Sequence, residues 1–493
     1  MKTKSRLICF LLCLIFIFPI SGCDKTSDAY IYFELSSTPD TLDPQTASKD
    51  QELLIVRNIF EGLLRKNEEG KIVCGVAENY NKNGLTYTFK IREKSVWSNG
   101  EPLTAHDFVF ALRRAVSPET NAPFASRLFC IKGAEEIYKG SLPNTSLGVY
   151  AVNDKTLKIE LKQEDSLFEE TLTTSIAMPC NQEFFKESSG KYGLFSDNIL
   201  SNSSYKITKW RKDPFGIRLY RNDNYNGDFN AKNAAVFITC EKDITPLEKL
   251  QKTNADMAFI DSALTEKATA SGLKTKEFQN ICWLLTLGDN FSKNMRTALL
   301  QYVDSNTYSS NLKCGYAVAD SLFPSVVNIN KDGITKSEYN PENAKYLYNN
   351  ELKNLPSNKF PPDTVLYYYD DGSVKDTVTD IVGHWQNNLS AFINIESVSD
   401  STLLYPQLIE QTYSMSILPV KVDSASISEY LNKYGYEFNN QTAAEIQDNI
   451  LNSKNIYPIM FQNTVIAYSP NLSNVYAEYS NGYIDFSFII KSE

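Results

Sequence analysis

Between residues 85 and 118 the chain calls for a strand, a turn and a helix in immediate succession, which limits this stretch to a mixed α/β fold. Leu85, Tyr87, Phe89 and Ile91 alternate with Thr86, Thr88, Lys90 and Arg92. A period of two places the apolar set on one face of a half-buried strand. Asn99-Gly100 follows, a pair in which both residues tolerate the positive φ of a tight turn. Thr104 then stands three residues before Asp107, an N-cap with an acid in the first turn. Phe108, Ala111, Leu112 and Ala115 continue at helical spacing. Ser117-Pro118 stops the helix, because the residue before a proline avoids the helical region. Each residue of the run has a structural job, and His106 sits in the first helical turn with no second ligand nearby. The run is scaffold.

The rest of the chain keeps the same mixture. Val149 to Val152 and Thr156 to Leu161 read as a hairpin, Gly216 to Tyr220 as a strand, and Leu247 to Gln251 as part of a helix. Val365 to Tyr369 reads as a strand, followed by a helix through Val378, Ile381, Val382 and Trp385 to Leu389, and a strand from Phe392 to Val398. That order is a βαβ unit. A chain of 493 residues is too large for one hydrophobic core, so two or three lobes are expected.

The first residues are set apart. Lys2, Lys4 and Arg6 precede an apolar run from Leu7 to Phe18, then Pro19-Ile20-Ser21-Gly22-Cys23. A charged start, a short apolar stretch and small residues describe an export signal over residues 1–22, too short to span a bilayer as a mature helix. Losing its three basic residues makes the remainder more acidic than the whole chain's formal −10. Such a balance argues against nucleic acid as a partner. Six cysteines follow Cys23, widely and irregularly spaced, and the chain has only two histidines, His106 and His384, so a metal cluster is not expected. Disulfides and buried thiols both remain open. The sequence contains no G-x-S-x-G, no H-E-x-x-H and no phosphate-binding or dinucleotide loop, so neither an enzyme nor a cofactor is expected.

The order Val76-Ala77-Glu78, Gly84 to Phe89, Trp97-Ser98-Asn99-Gly100-Glu101-Pro102-Leu103-Thr104-Ala105 and Asp107-Phe108 resembles the signature of the extracellular solute-binding proteins of family 5, the peptide-binding partners of ABC importers. Leu42-Asp43-Pro44, Ile59 to Leu63, Ala151 to Leu157, Ser203-Ser204-Tyr205-Lys206 with Trp210, and Tyr339 to Ala344 extend the likeness in order. The resemblance implies an α/β, periplasmic-binding-protein-like fold (type II, cluster C): two main α/β lobes, an inserted extra lobe and a central ligand cleft. Its expected division is lobe I in 24–56, 181–262 and 468–493, lobe II in 57–180, and lobe III in 263–467. Ile20-Ser21-Gly22-Cys23 resembles a lipobox, which makes Cys23 the lipidated mature N-terminus.

The same likeness implies where a ligand sits. In oligopeptide-binding relatives an acid in a Trp-x-x-Asp-Tyr segment of the third lobe holds the peptide's α-ammonium group, which places Asp423 at the acid and Val420 at the tryptophan. Pro419 lacks an N–H for a bound strand, and Ser424 stands where the tyrosine is expected. Phe124 resembles an aromatic ring that reaches ligand, and Ser48-Lys49-Asp50 falls where a first-lobe strand pairs with peptide backbone. The expected function is a monomeric, lipid-anchored protein on the outer side of the cell membrane that captures a peptide or other small solute and delivers it to an ABC permease. The alternative is a diverged surface lipoprotein, a receptor, sensor or partner-binding protein, that keeps the fold without transport.

Overall fold

The computed structural model of the protein describes residues 28–326, 334, 339–370, 372–398, 415–421, 442–453, 456–477 and 483–492. The chain begins with β1 (Tyr30–Glu34) and α1 (Asp50–Ile59). β2 (Ala77–Asn83) and β3 (Thr86–Ile91) precede α2 (Ala105–Ala115), and β4 (Val149–Asn153) and β5 (Thr156–Glu160) follow it. Next come α3 (Gln182–Glu187), β6 (Tyr205–Lys212), β7 (Phe215–Arg221), β8 (Ala235–Thr239) and β9 (Met257–Ile260). β10 (Lys274–Leu287) leads to α4 (Lys293–Gln301), β11 (Tyr316–Val318), α5 (Pro341–Leu352), β12 (Val365–Tyr369), α6 (Lys375–Leu389) and β13 (Asn394–Val398). β14 (Met415–Lys421), α7 (Ala443–Ser453) and β15 (Ile456–Tyr468) complete the main elements.

The strand, turn and helix expected at 85–118 all form. Tyr87, Phe89 and Ile91 are buried in β3, whereas Leu85 lies outside the strand and is exposed. The turn sits one residue off the expected position. Gly100 N–H donates to the Trp97 carbonyl at 2.8 Å, and of the pair only Gly100 has a positive φ, at 90°. Asn99 instead accepts the Glu101 N–H on its Oδ1 at 3.1 Å. The α2 cap is a reciprocal box: Asp107 Oδ2 accepts from the Thr104 N–H at 2.7 Å and from its hydroxyl at 3.2 Å. Burial pushes the Asp107 carboxyl above its ordinary range, against the hydrogen bonds from Thr104 and Trp97 that favour its charged form.

β2, β3, β5 and β4 pair in that order as a four-stranded antiparallel sheet. Among the described residues the large sheet has eleven strands in the order β13-β12-β14-β10-β15-β9-β1-β8-β7-β6, with β11 added on β15. β12, α6 and β13 form the expected βαβ unit, with β12 and β13 parallel from Val365 opposite Asn394. The buried residues Val378, Ile381, Val382, Trp385 and Leu389 give α6 its inner face, and Trp385 Nε1 donates to the Leu299 carbonyl at 2.9 Å.

One apolar cluster holds Ile31, Phe89, Leu112, Ile159, Leu219 and Phe486, so the segments expected as lobes I and II share a core. A second cluster holds Trp283, Leu299, Leu366, Trp385, Ile417 and Met460. The changeover falls inside β10 and β15, between Phe278 and Trp283 on one strand and between Met460 and Ile466 on the other. It lies along the sheet itself. Cys74, Cys130, Cys180, Cys240 and Cys314 are free thiols, and Cys130, Cys180 and Cys282 are buried. Burial raises the Cys180 thiol to about 12, which keeps it protonated. Among the described residues no helix is long and apolar enough to cross a membrane, and no group of three His, Cys, Asp or Glu residues is placed to hold a metal.

Candidate functional site

β10 and β15 form a long antiparallel ribbon that belongs to both halves of the large sheet. Lys274 to Gln279 pair with Tyr468 to Asn463 beside β9; Ile281 to Thr286 pair with Gln462 to Ile456, beside β14 on the other edge. The register shifts between Gln279 and Ile281, so Asn280 is left between the two halves. Its side chain is fully buried, and its Oδ1 accepts from the Thr464 hydroxyl at 2.8 Å. A bulge of this kind bends a strand and adds local twist.

Alongside this ribbon, two segments far apart in sequence meet. Lys421, the last residue of β14, donates from Nζ to Asp50 Oδ2 at 2.7 Å, across 371 positions of chain. Asp50 is the first residue of α1, where the helix dipole favours an acid. Its position is set by Glu52, which is 2% exposed. Glu52 Oε1 accepts the N–H groups of Asp40 and Thr41 at 3.0 and 3.3 Å, and Oε2 those of Ser48 and Lys49 at 3.0 and 3.1 Å. One carboxylate thus pins both ends of the 40–49 loop, and Lys49 Nζ closes it onto Asp40 at 2.6 Å.

The same loop is fixed on its far side. Arg114 of α2 donates to both oxygens of Asp43, with Nη1 at 2.9 Å from Oδ1, and to Gln45 Oε1 at 2.7 Å. The two charged side chains are 10% and 6% exposed. Gln45 Nε2 donates onward to the Met178 carbonyl at 3.0 Å, and the Phe185 ring lies 4.5 Å from the Arg114 guanidinium.

Of the candidate residues, Asp50 is the one this arrangement brings against the opposite half. Ser48 and Lys49 are exposed, but they lead into α1 rather than forming a strand edge, and both of their N–H groups are taken by Glu52. The helix cap wins there because a buried carboxylate satisfies four amides at once. Val420 is 1% exposed and packs with Cys282, Leu284, Phe323 and Phe461, so its side chain is a core residue and only its backbone is left for a ligand. Phe124 is half-buried, with the Arg127 guanidinium 4.6 Å above its ring. Asp423, Ser424 and Cys23 lie outside the described residues. Lys421 and Glu52 are absent from the sequence-based candidates. Glu52 was detectable as the fourth member of a Lys49-x-x-Glu52 box, whereas nothing local marks Lys421.

A family model described as bacterial extracellular solute-binding proteins, family 5 Middle, matches residues 71–442. The oligopeptide-binding protein OppA of Bacillus subtilis is 28% identical over 447 residues, covering 84% of this chain and 81% of that protein. The crystal structure of Haemophilus influenzae OppA in complex with RPPGFSPFR superposes with a TM-score of 0.78 at 20% identity, covering 95% of this chain and 99% of that one. The murein tripeptide binding protein MppA in its unliganded open form gives 0.68 at 20% identity, with 95% and 98% covered. The fold is thus the type II periplasmic-binding-protein-like α/β fold. With its model matched over most of the sequence, the chain belongs to the bacterial extracellular solute-binding proteins of family 5.

Proposed function

We propose that the protein captures a peptide in the seam beside the β10–β15 ribbon and delivers it to a membrane ABC importer, held at the cell surface by lipid on Cys23. The observation that carries this reading is the Asp50–Lys421 contact, which joins the start of α1 to the end of β14 next to the segment that continues to Asp423. The higher superposition on a peptide-bound relative than on an open, unliganded one supports a closed arrangement of the two halves. Capture works by population shift: a ligand that touches both halves favours the closed state by its differential affinity for it. Asp423 is the proposed anchor for the peptide's α-ammonium group. Two Bacillus subtilis relatives, OppA and DppE, are oligopeptide- and dipeptide-binding proteins, which favours a peptide over another solute.

The second reading, a surface lipoprotein without transport, is favoured by Val420 being committed to the core and by Pro419 in the β14 edge. Mass spectrometry of the purified protein separates the two. Co-purifying short peptides, and a melting temperature that rises when a peptide mixture is added to stripped protein, are the expected results. Empty protein with an unmoved melting curve rejects peptide capture. In Asp423→Ala the same peptides should bind more weakly by ~2–5 kcal/mol, the loss for one partner of a buried charge pair.

A further inference from the structure

A cavity of 670 Å³ runs along the outer face of α2, within the size range of small-molecule sites, ~300–1,000 Å³. Its floor is aromatic: Phe110 and Phe185 meet edge to face with centroids 5.4 Å apart. Its walls carry polar groups from separate parts of the chain, among them Thr46, Asn144, Gln182 and Arg113. Arg114 also borders it but is committed to Asp43 and Gln45. Arg113 is not committed. Among the described residues its side chain makes no hydrogen bond or ion pair, and its Nε has no acceptor within the chain. A half-buried guanidinium that borders a roomy cavity and has no acceptor within the chain leaves donors for one from outside it.

The surrounding charges define that acceptor. Glu119 lies on the rim, its carboxylate bonded by the Ser117 hydroxyl, which keeps it in the charged form. His106 lies at the other end, with Nε2 3.5 Å from Asp154. One uncommitted cation beside one fixed anion suits a singly charged ligand better than a dianion. The planar guanidinium matches a carboxylate in a two-point contact.

We propose that this groove binds a small monocarboxylic acid with an aromatic or branched aliphatic body, the carboxylate on Arg113 and the body over Phe110 and Phe185. The site is separate from the Asp50–Lys421 seam and independent of peptide capture. Isothermal titration of the intact protein with 3-phenylpropionate tests it, with phenyl phosphate and 3-phenylpropanol as comparisons. Saturable binding of the carboxylate, weaker binding of the phosphate and none of the alcohol are expected. Arg113→Gln should weaken binding roughly ten-fold or more, the usual loss for a charge-assisted pair. Asn144→Asp, an exposed change that sets a like charge facing the ligand, should weaken it as well and covers the case in which Arg113→Gln does not fold. Peptide binding in both variants should match the unaltered protein. No saturable binding, equal binding of acid and alcohol, equal affinity in the folded variants, or displacement of the acid by peptides would each overturn the proposal.

Discussion

Asp43 and Arg114 show how a single pair of charges can set the position of a functional loop. Both are buried, so each has left water, and their mutual hydrogen bonds must offset that loss. Burial disfavours the Arg114 charge while the Asp43 carboxylate restores it, leaving the guanidinium above its usual value. Removing only one partner strands the other. Arg114→Met should therefore cost about 3–5 kcal/mol in urea unfolding. The double variant Arg114→Met with Asp43→Leu should recover much of that loss, and a single variant as stable as the parent would contradict the account. Glu52 works on the same loop by another route, accepting four backbone N–H groups with one buried carboxylate. Asp43 was legible within Leu42-Asp43-Pro44, but its partner lies 71 residues away, and sequence spacing carries no information about such a contact.

At the scale of elements, α2 was the most legible part of the chain because its signals are local. Cap, first-turn acid, apolar spacing and terminating Ser-Pro act within a few residues of one another, and the helix runs where they place it. Thr104→Ala removes the hydroxyl half of the box and should cost about 1 kcal/mol of stability, measured as a shift in the urea midpoint at constant slope. A change below the error of that measurement would mean Asp107 holds the helix start through the backbone alone. The turn before it was misjudged by one residue, since Asn99 prefers to bond the Glu101 amide with its side chain. Around Ser48 the local pattern was weaker, and a helix cap took the residues expected as a pairing edge. β14 illustrates the limit from the other side. Its apolar pattern marks a buried strand, but only the neighbouring strands decide that Val420 faces a core.

At the scale of the whole molecule, the β10–β15 ribbon turns two cores into one machine. The two apolar clusters exchange along it at Asn280, and the Asp50–Lys421 contact lies beside it. That ion pair is partly solvated, with Lys421 27% and Asp50 61% exposed, so its coupling should be only about 0.2–1 kcal/mol. A double-mutant cycle of Asp50→Ala and Lys421→Ala on the open–closed equilibrium, followed by small-angle scattering, should return a coupling of that size that shrinks as salt rises. A coupling that is zero at low salt would remove the pair from closure. The sequence by itself determined the mixed α/β class, the capped helix, the βαβ unit and the family, because those rest on periodicity, caps and turn chemistry within short windows. Only the tertiary structure decided which loops face each other, where the sheet changes hands and that Lys421 reaches Asp50. Those outcomes depend on strand order and on contacts between residues hundreds of positions apart, which no local preference encodes.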